Sequence, residues 1–181
     1  MKKFRVWLIA ILMAVGSGLV APGPASADPY CGLVWGSLAK EDPAMSQAQV
    51  RNVRTGQHYC FDRLVIDLNG PVGGYLVRYV PEVTQDASGL PVPLRGQAFL
   101  QVTVHDPAYD ESGAATYSPA DQNELSDVNG YQTFRQVAWA GSFEGYSTLG
   151  LGVRARLPFR VFTLDGPDAG SRLVIDVAHF W

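Results

Sequence analysis

The sequence predicts an all-β protein: a β-sandwich of two antiparallel sheets, with one long polar loop and little helix. Three observations carry this reading. Short runs of alternating or continuous apolar residues recur along most of the chain. Clusters of Gly, Pro, Asn and Asp separate them, as turns require. No stretch after residue 27 has the sustained 3.6-residue periodicity of a substantial helix.

Taken in order, the chain opens on a secretory pattern. Lys2, Lys3 and Arg5 precede an apolar run from Val6 to Val20, and Ala25-Ser26-Ala27 supplies the small residues of a cleavage site. Residues 1–27 are therefore expected to be a signal peptide. The apolar run is shorter than the ~20 residues of a membrane-spanning helix, and Gly16, Ser17 and Gly18 interrupt it. No later segment reads as a spanning helix, so no membrane insertion is expected after cleavage. Cys31 follows Asp28-Pro29-Tyr30, which is not the small apolar run that precedes a lipidated cysteine.

Cleavage leaves 154 residues, a normal length for one domain. A chain of that size buries roughly 68–70% of its unfolded surface, enough for a core without a metal. Cleavage also removes three of the 14 Lys and Arg and none of the 17 Asp and Glu, so the mature charge is −6. A domain this acidic repels polyphosphates and anionic lipids at long range, which argues against nucleic acid as a partner.

Residues 28–52 form an N-terminal segment. It is expected to hold a short strand around Leu33–Trp35 and a helical turn from Asp42 to Gln47, tied down by a bridge between Cys31 and Cys60. An even pair of cysteines in an exported chain reads first as a disulfide. A metal-binding or reactive thiol is the alternative, but no CxxC spacing supports it. The predicted strands are Phe61–Leu68, Tyr75–Val83, Ala98–His105, Phe134–Ala140, Tyr146–Val153, Phe159–Leu164 and Arg172–Ala178. Their breakers include Asn69-Gly70-Pro71, Asp86-Ala87-Ser88-Gly89 and Asp165-Gly166-Pro167-Asp168. Seven short strands in this spacing suit a sandwich or small barrel. Residues 106–133 are the long polar loop, with a helical turn expected near Asp121–Leu125. A loop of that length is either functional or mobile.

One pentapeptide occurs twice, as Arg63-Leu64-Val65-Ile66-Asp67 and Arg172-Leu173-Val174-Ile175-Asp176. The strand period turns Leu64, Ile66, Leu173 and Ile175 to the core and puts Arg, Val and Asp of both copies on the opposite face. Two strands in equivalent environments explain the recurrence. So does the plain fact that these five residues make a good strand.

Val53-Arg54-Thr55-Gly56-Gln57-His58, running into Phe61–Asp67, resembles the opening of the AMIN-like domain of actinobacterial envelope proteins. Gly74–Val80, Phe143–Tyr146, Gly150–Gly152, Phe159–Leu164 and Arg172–His179 fit the same family in order, and Trp35-Gly36-Ser37 resembles its usual start. The resemblance covers roughly residues 33–179, with the AMIN-like domain itself assigned to 53–181. It implies a compact sandwich in a secreted or lipid-anchored envelope protein. The namesake AMIN domain binds peptidoglycan, and neither group brings catalytic residues to carry over. Cys60 and the terminal Phe180-Trp181 depart from the family pattern.

Motifs for catalysis are weak. Ser37-Leu38-Ala39-Lys40 matches SxxK, but that chemistry needs a helix to hold Ser near Lys and a second motif such as KTG. Lys40 is the one lysine of the mature chain, so no KTG exists. His58, His105 and His179 stand apart, each at a predicted strand end, without metal-ligand spacing. The carboxylates of the 106–133 loop suit Ca²⁺ in chemistry but not in EF-hand spacing. Tyr109, Tyr117 and Tyr131 either stack on sugar rings or pin that loop to the sandwich. A membrane barrel is disfavoured because several strands carry Arg or Asp in mid-strand.

The sequence thus predicts a non-catalytic envelope-binding module with no cofactor and no metal. Peptidoglycan or an envelope protein is the expected partner. The alternatives are an extracytoplasmic protein-interaction subunit and a carrier of a small or lipidic ligand. The candidate binding residues are Arg63, Arg78 and Arg172, expected on one outer face. There they either form exposed Arg–Asp pairs or offer guanidinium forks to the carboxylates of wall peptides.

Overall fold

A computed structural model describes residues 30–166 and 168–181. The expected signal peptide, residues 1–27, lies outside the described residues. Among the described residues nine strands make two antiparallel sheets, numbered in chain order: β1 (Lys40–Asp42), β2 (Val50–Gln57), β3 (Phe61–Leu68), β4 (Tyr75–Val80), β5 (Ala98–Val104), β6 (Phe134–Phe143), β7 (Tyr146–Val153), β8 (Phe159–Asp165) and β9 (Ser171–Ala178). One sheet runs β1-β4-β5-β7-β6 and the other β2-β3-β9-β8. The sheets stack as the expected sandwich and do not close into a barrel, the other architecture that the strand spacing suits.

Between the sheets, Leu64, Ile66, Leu173 and Ile175 are fully buried and meet Val77, Leu100, Leu149 and Leu151 from the opposite sheet. Tyr75, Val77 and Tyr79 share the inner face of β4 and pack against this core, while Arg78 points outward and is exposed. Tyr79 both donates its hydroxyl proton to the Leu157 carbonyl and accepts from the Leu157 N–H, each at 2.9 Å. Burial pushes its phenol up to about 12.

The N-terminal segment differs from expectation. No strand forms at Leu33–Trp35, although Leu33 and Trp35 are half-buried, and no helical turn forms over 42–47. The strands lie instead at Lys40–Asp42 and Val50–Gln57. β2 escapes the alternation test because its pairing with β3 shifts register between Val50 and Asn52. That bulge turns Val50 and Val53, three residues apart, to the same buried face.

A second layer covers part of the outer face of the five-stranded sheet. Residues 81–97 fold back so that Val83 and Val92 bury against Ala138 and Ala140. Gly150 and Gly152 on β7 make this possible. A Cβ on Gly152 would lie 1.9 Å from the Arg95 carbonyl oxygen, and one on Gly150 would lie 2.8 Å from Leu94.

The 106–133 loop contains no helical turn and is held at many points. Asp110, Asp121 and Asp127 each accept from the backbone N–H two residues on, closing Asx turns. Tyr117 meets Trp139 edge-on at 5.1 Å, Tyr131 stacks on Phe134, and the Tyr109 hydroxyl accepts from the Gly145 N–H. The loop tyrosines are thus used as pins. The disulfide between Cys31 and Cys60 is formed, with its Cα atoms 6.2 Å apart.

Candidate functional site

The two copies of the repeat are neighbours. β3 and β9 pair antiparallel at the centre of the four-stranded sheet in the register Arg63↔Asp176, Leu64↔Ile175, Val65↔Val174, Ile66↔Leu173 and Asp67↔Arg172. The repeat therefore pairs with itself about a local two-fold axis through Val65 and Val174. Identical sequence creates identical cross-strand partners, an Arg opposite an Asp at each end.

At the Arg63 end the charges close around a buried carboxylate. Asp176 has no exposed side-chain surface and accepts from both Arg63 and Arg160. The Arg63 fork is bidentate, at 2.6 and 2.9 Å. Arg160 reaches across from β8, where the register sets it opposite Asp176. Aromatic rings cover the pair: the Arg160 guanidinium lies 4.5 Å from the Trp35 ring centroid and 4.8 Å from that of Phe162. Arg63 lies over Phe61 at 5.2 Å. The sequence-based expectation of exposed Arg–Asp pairs fails here, because Trp35 and the β8 arginine exclude water from Asp176.

At the opposite end the symmetry breaks. Asp67 is taken by Arg54 of β2, which grips it bidentately at 2.9 Å on each arm, and by the Asn52 amide. Arg172 is left without a carboxylate among the described residues. One of its terminal nitrogens donates to the Asp165 carbonyl, and its Nε, shielded from solvent, has no hydrogen-bond partner. Between the two ends runs a groove of about 230 Å³ over Val65 and Val174, which are themselves buried, with Leu164 exposed at its edge. Arg54, His58, Arg63 and Arg172 line it, and no carboxylate does.

Arg63 and Arg172 thus share this outer face, but Arg78 does not join them. It stands on β4 in the other sheet, on the far side of the sandwich. Sequence reasoning did not single out Arg54, Arg160, His58 and Trp35 for this surface. The strand period alone would have placed Arg160, Phe162 and Leu164 on one face of β8; their register against β9 was the missing piece.

The remaining candidates have structural roles. Ser37 lies in a bend, not a helix, and its hydroxyl meets the Arg156 guanidinium at 3.3 Å. Lys40 donates to the carbonyls of Gly36 and Leu38 and sits 4.0 Å over the Phe159 ring. His58 stacks on Phe61 at 4.6 Å, and His105 bonds the Ala44 carbonyl at 2.9 Å. His179 and Asp62 are both wholly buried and 3.0 Å apart. Asp62 also accepts from the backbone N–H groups of Thr133 and Phe134, at 2.6 and 3.0 Å, tying the loop's end to β3 and β9. Asp106 is buried as well, and burial raises its carboxyl above the usual range despite bonds from Ser46 and Gly73. Among the described residues no three His, Cys, Asp or Glu stand close enough to hold a metal ion, and no helix is long and apolar enough to cross a membrane.

The fold defines a β-sandwich module with one arginine-lined outer face. A family model, the AMIN-like domain, matches residues 48–179. The chain belongs to the AMIN-like domain family. No curated protein and no solved structure matched it.

Proposed function

We propose that this protein is a secreted, non-catalytic binding module of the cell envelope that associates with peptidoglycan or a wall-associated protein. The observation that carries the reading is the arginine-lined groove on the outer face of the four-stranded sheet, in a chain of the AMIN-like family. The namesake AMIN domain binds peptidoglycan, a polymer whose stem peptides carry carboxylates. Guanidinium forks suit such groups because two parallel N–H donors match the two carboxylate oxygens. Of the three arginines read from the sequence, Arg172 is the binding contact, Arg63 holds the sheet face in shape, and Arg78 belongs to a separate surface.

Export fits the signal-peptide pattern and the Cys31–Cys60 bridge, which suits an oxidising compartment. Mass spectrometry of the secreted protein is expected to find an N-terminus at Asp28 and no free thiol. Absence of catalysis fits the occupation of Ser37 and Lys40 in other contacts. Labelled penicillin is expected to leave the protein unacylated, and a covalent adduct at Ser37 would refute a purely binding role.

The deciding experiment is co-sedimentation with insoluble peptidoglycan. The oxidised protein is expected to pellet with the polymer, and less so as salt rises, because exposed charge contacts are screened. A protein that stays in the supernatant at low salt contradicts wall binding.

A further inference from the structure

The local two-fold of the β3–β9 pair supplies two equivalent Arg–Asp sites, yet one of them lacks a component. At the first site the carboxylate of Asp176 accepts from Arg63 and Arg160. At the second, Arg54 occupies both oxygens of Asp67, and Arg172 opposite it pairs with no carboxylate among the described residues. What the second site lacks, relative to the first, is one carboxylate. A guanidinium with a shielded Nε–H and no acceptor is costly to maintain, which makes such a group a marker of function. The groove beside it is lined by three arginines and a histidine with no acid among them, although the mature chain is acidic. Arg54 and Arg63 have their forks engaged by Asp67 and Asp176.

We propose that the Arg172 end of this groove is a receptor for one peptide carboxylate. The terminal nitrogens of Arg172 meet the carboxylate, and Leu164, partly exposed at the groove's edge, accommodates a small apolar side chain next to it. The volume, equal to about eight waters, fits a chain end of roughly two small residues and not a sugar polymer lying lengthwise. The inference rests on the wall-binding reading only for the source of that peptide, the stem peptides of peptidoglycan.

The test uses the oxidised, exported protein and acetyl-alanyl-alanine as probe, compared with the C-terminal amide of the same dipeptide. The acid is expected to shift the Arg172 Nε–H resonance saturably and the amide to leave it in place. Arg172→Gln is expected to weaken binding about tenfold or more, since it removes a charge-assisted contact. Gly56→Leu is a second, independent block. Gly56 lines the groove, and a Cβ there meets nothing nearer than His58 Nε2 at 3.7 Å, so the larger side chain fills the groove without disturbing β2. Equal binding of acid and amide, or unchanged binding in both variants, overturns the proposal. So does inorganic phosphate that competes as well as the acid, which would make the site a general anion site. If the protein pellets with peptidoglycan but the dipeptide leaves Arg172 unmoved, the carboxylate receptor is wrong and wall binding stands. If the dipeptide binds at Arg172 and the polymer is not pelleted, the receptor stands and its source lies elsewhere.

Discussion

At the Arg63 end of the outer sheet face, one buried carboxylate holds two guanidiniums under a cover of aromatic rings; at the Arg172 end, the carboxylate is partly exposed and one guanidinium is left over. Both ends arise from the same five residues in the same register. The difference comes from the flanking strands. β8 contributes Arg160, which joins the existing pair, and Trp35 caps it. β2 contributes Arg54, which displaces Arg172 from Asp67 instead. Pairing register brings opposite charges together, but the third residue and the access of water decide whether they bond. A charge pair away from water is strengthened by the lower local dielectric, whereas exposed pairs contribute about 0–1 kcal/mol.

The comparison can be broken first at its common base. Replacing Leu64, Ile66, Leu173 or Ile175 with Ala is expected to cost roughly 2–5 kcal/mol each in chemical denaturation. The two copies should lose similar amounts, since all four side chains are fully buried. Losses below about 0.5 kcal/mol at all four, the range of surface substitutions, would deny that these inner faces form the core.

The outer face should respond unequally. Arg63→Gln leaves Asp176 buried with one guanidinium in place of two and is expected to destabilise by about 1–3 kcal/mol. Arg172→Gln removes no ion pair among the described residues and is expected to stay within about 0.5 kcal/mol. Equal losses would mean that the two ends are not distinct.

An alkaline titration separates the interior from this face. Tyr79 and Tyr117 are raised by burial to about 12, from 10.0 in the unfolded chain. Their contribution to stability is fully present below pH 10 and is lost as pH rises through about 12. Stability is therefore expected to fall in that window. Phenolate absorbance rising at pH 10 for all eight tyrosines in the folded state would contradict it.

The smallest effect is the sharpest. Arg54→Gln frees Asp67, which the register sets opposite Arg172. A new cross-strand pair is then expected to weaken dipeptide binding with little change in stability. Adding Asp67→Asn in that background should restore part of the binding. No restoration would show that Arg54 acts on the ligand directly and not by holding Asp67 away.

Much of the sandwich was legible along the chain. Phe61–Leu68 and Tyr146–Val153 match their strands end to end, because both alternate or run apolar between turn residues. β2 was hidden by its bulge, and β1 is too short to show a period. The Arg63 and Arg172 side chains were correctly assigned to the outward side of their strands. Their inequality was not visible, since it depends on Arg54, Arg160 and Trp35, which come from segments far apart in sequence.

By itself, the sequence determined what depends on local order: strand positions from period two, turns from Gly, Pro and Asn, a cysteine pair suited to a bridge, and a repeated strand with a fixed inward face. The tertiary structure alone decided which strands became neighbours, that the repeat would pair with itself, and that Arg78 would stand on the far side of the sandwich. It also decided that one Asp would be sealed from water while one Arg would pair with no carboxylate among the described residues. The physical reason is that alternation fixes the side of a strand a residue takes. Electrostatic partners and water access depend on what packs above that side, and those atoms arrive from other strands.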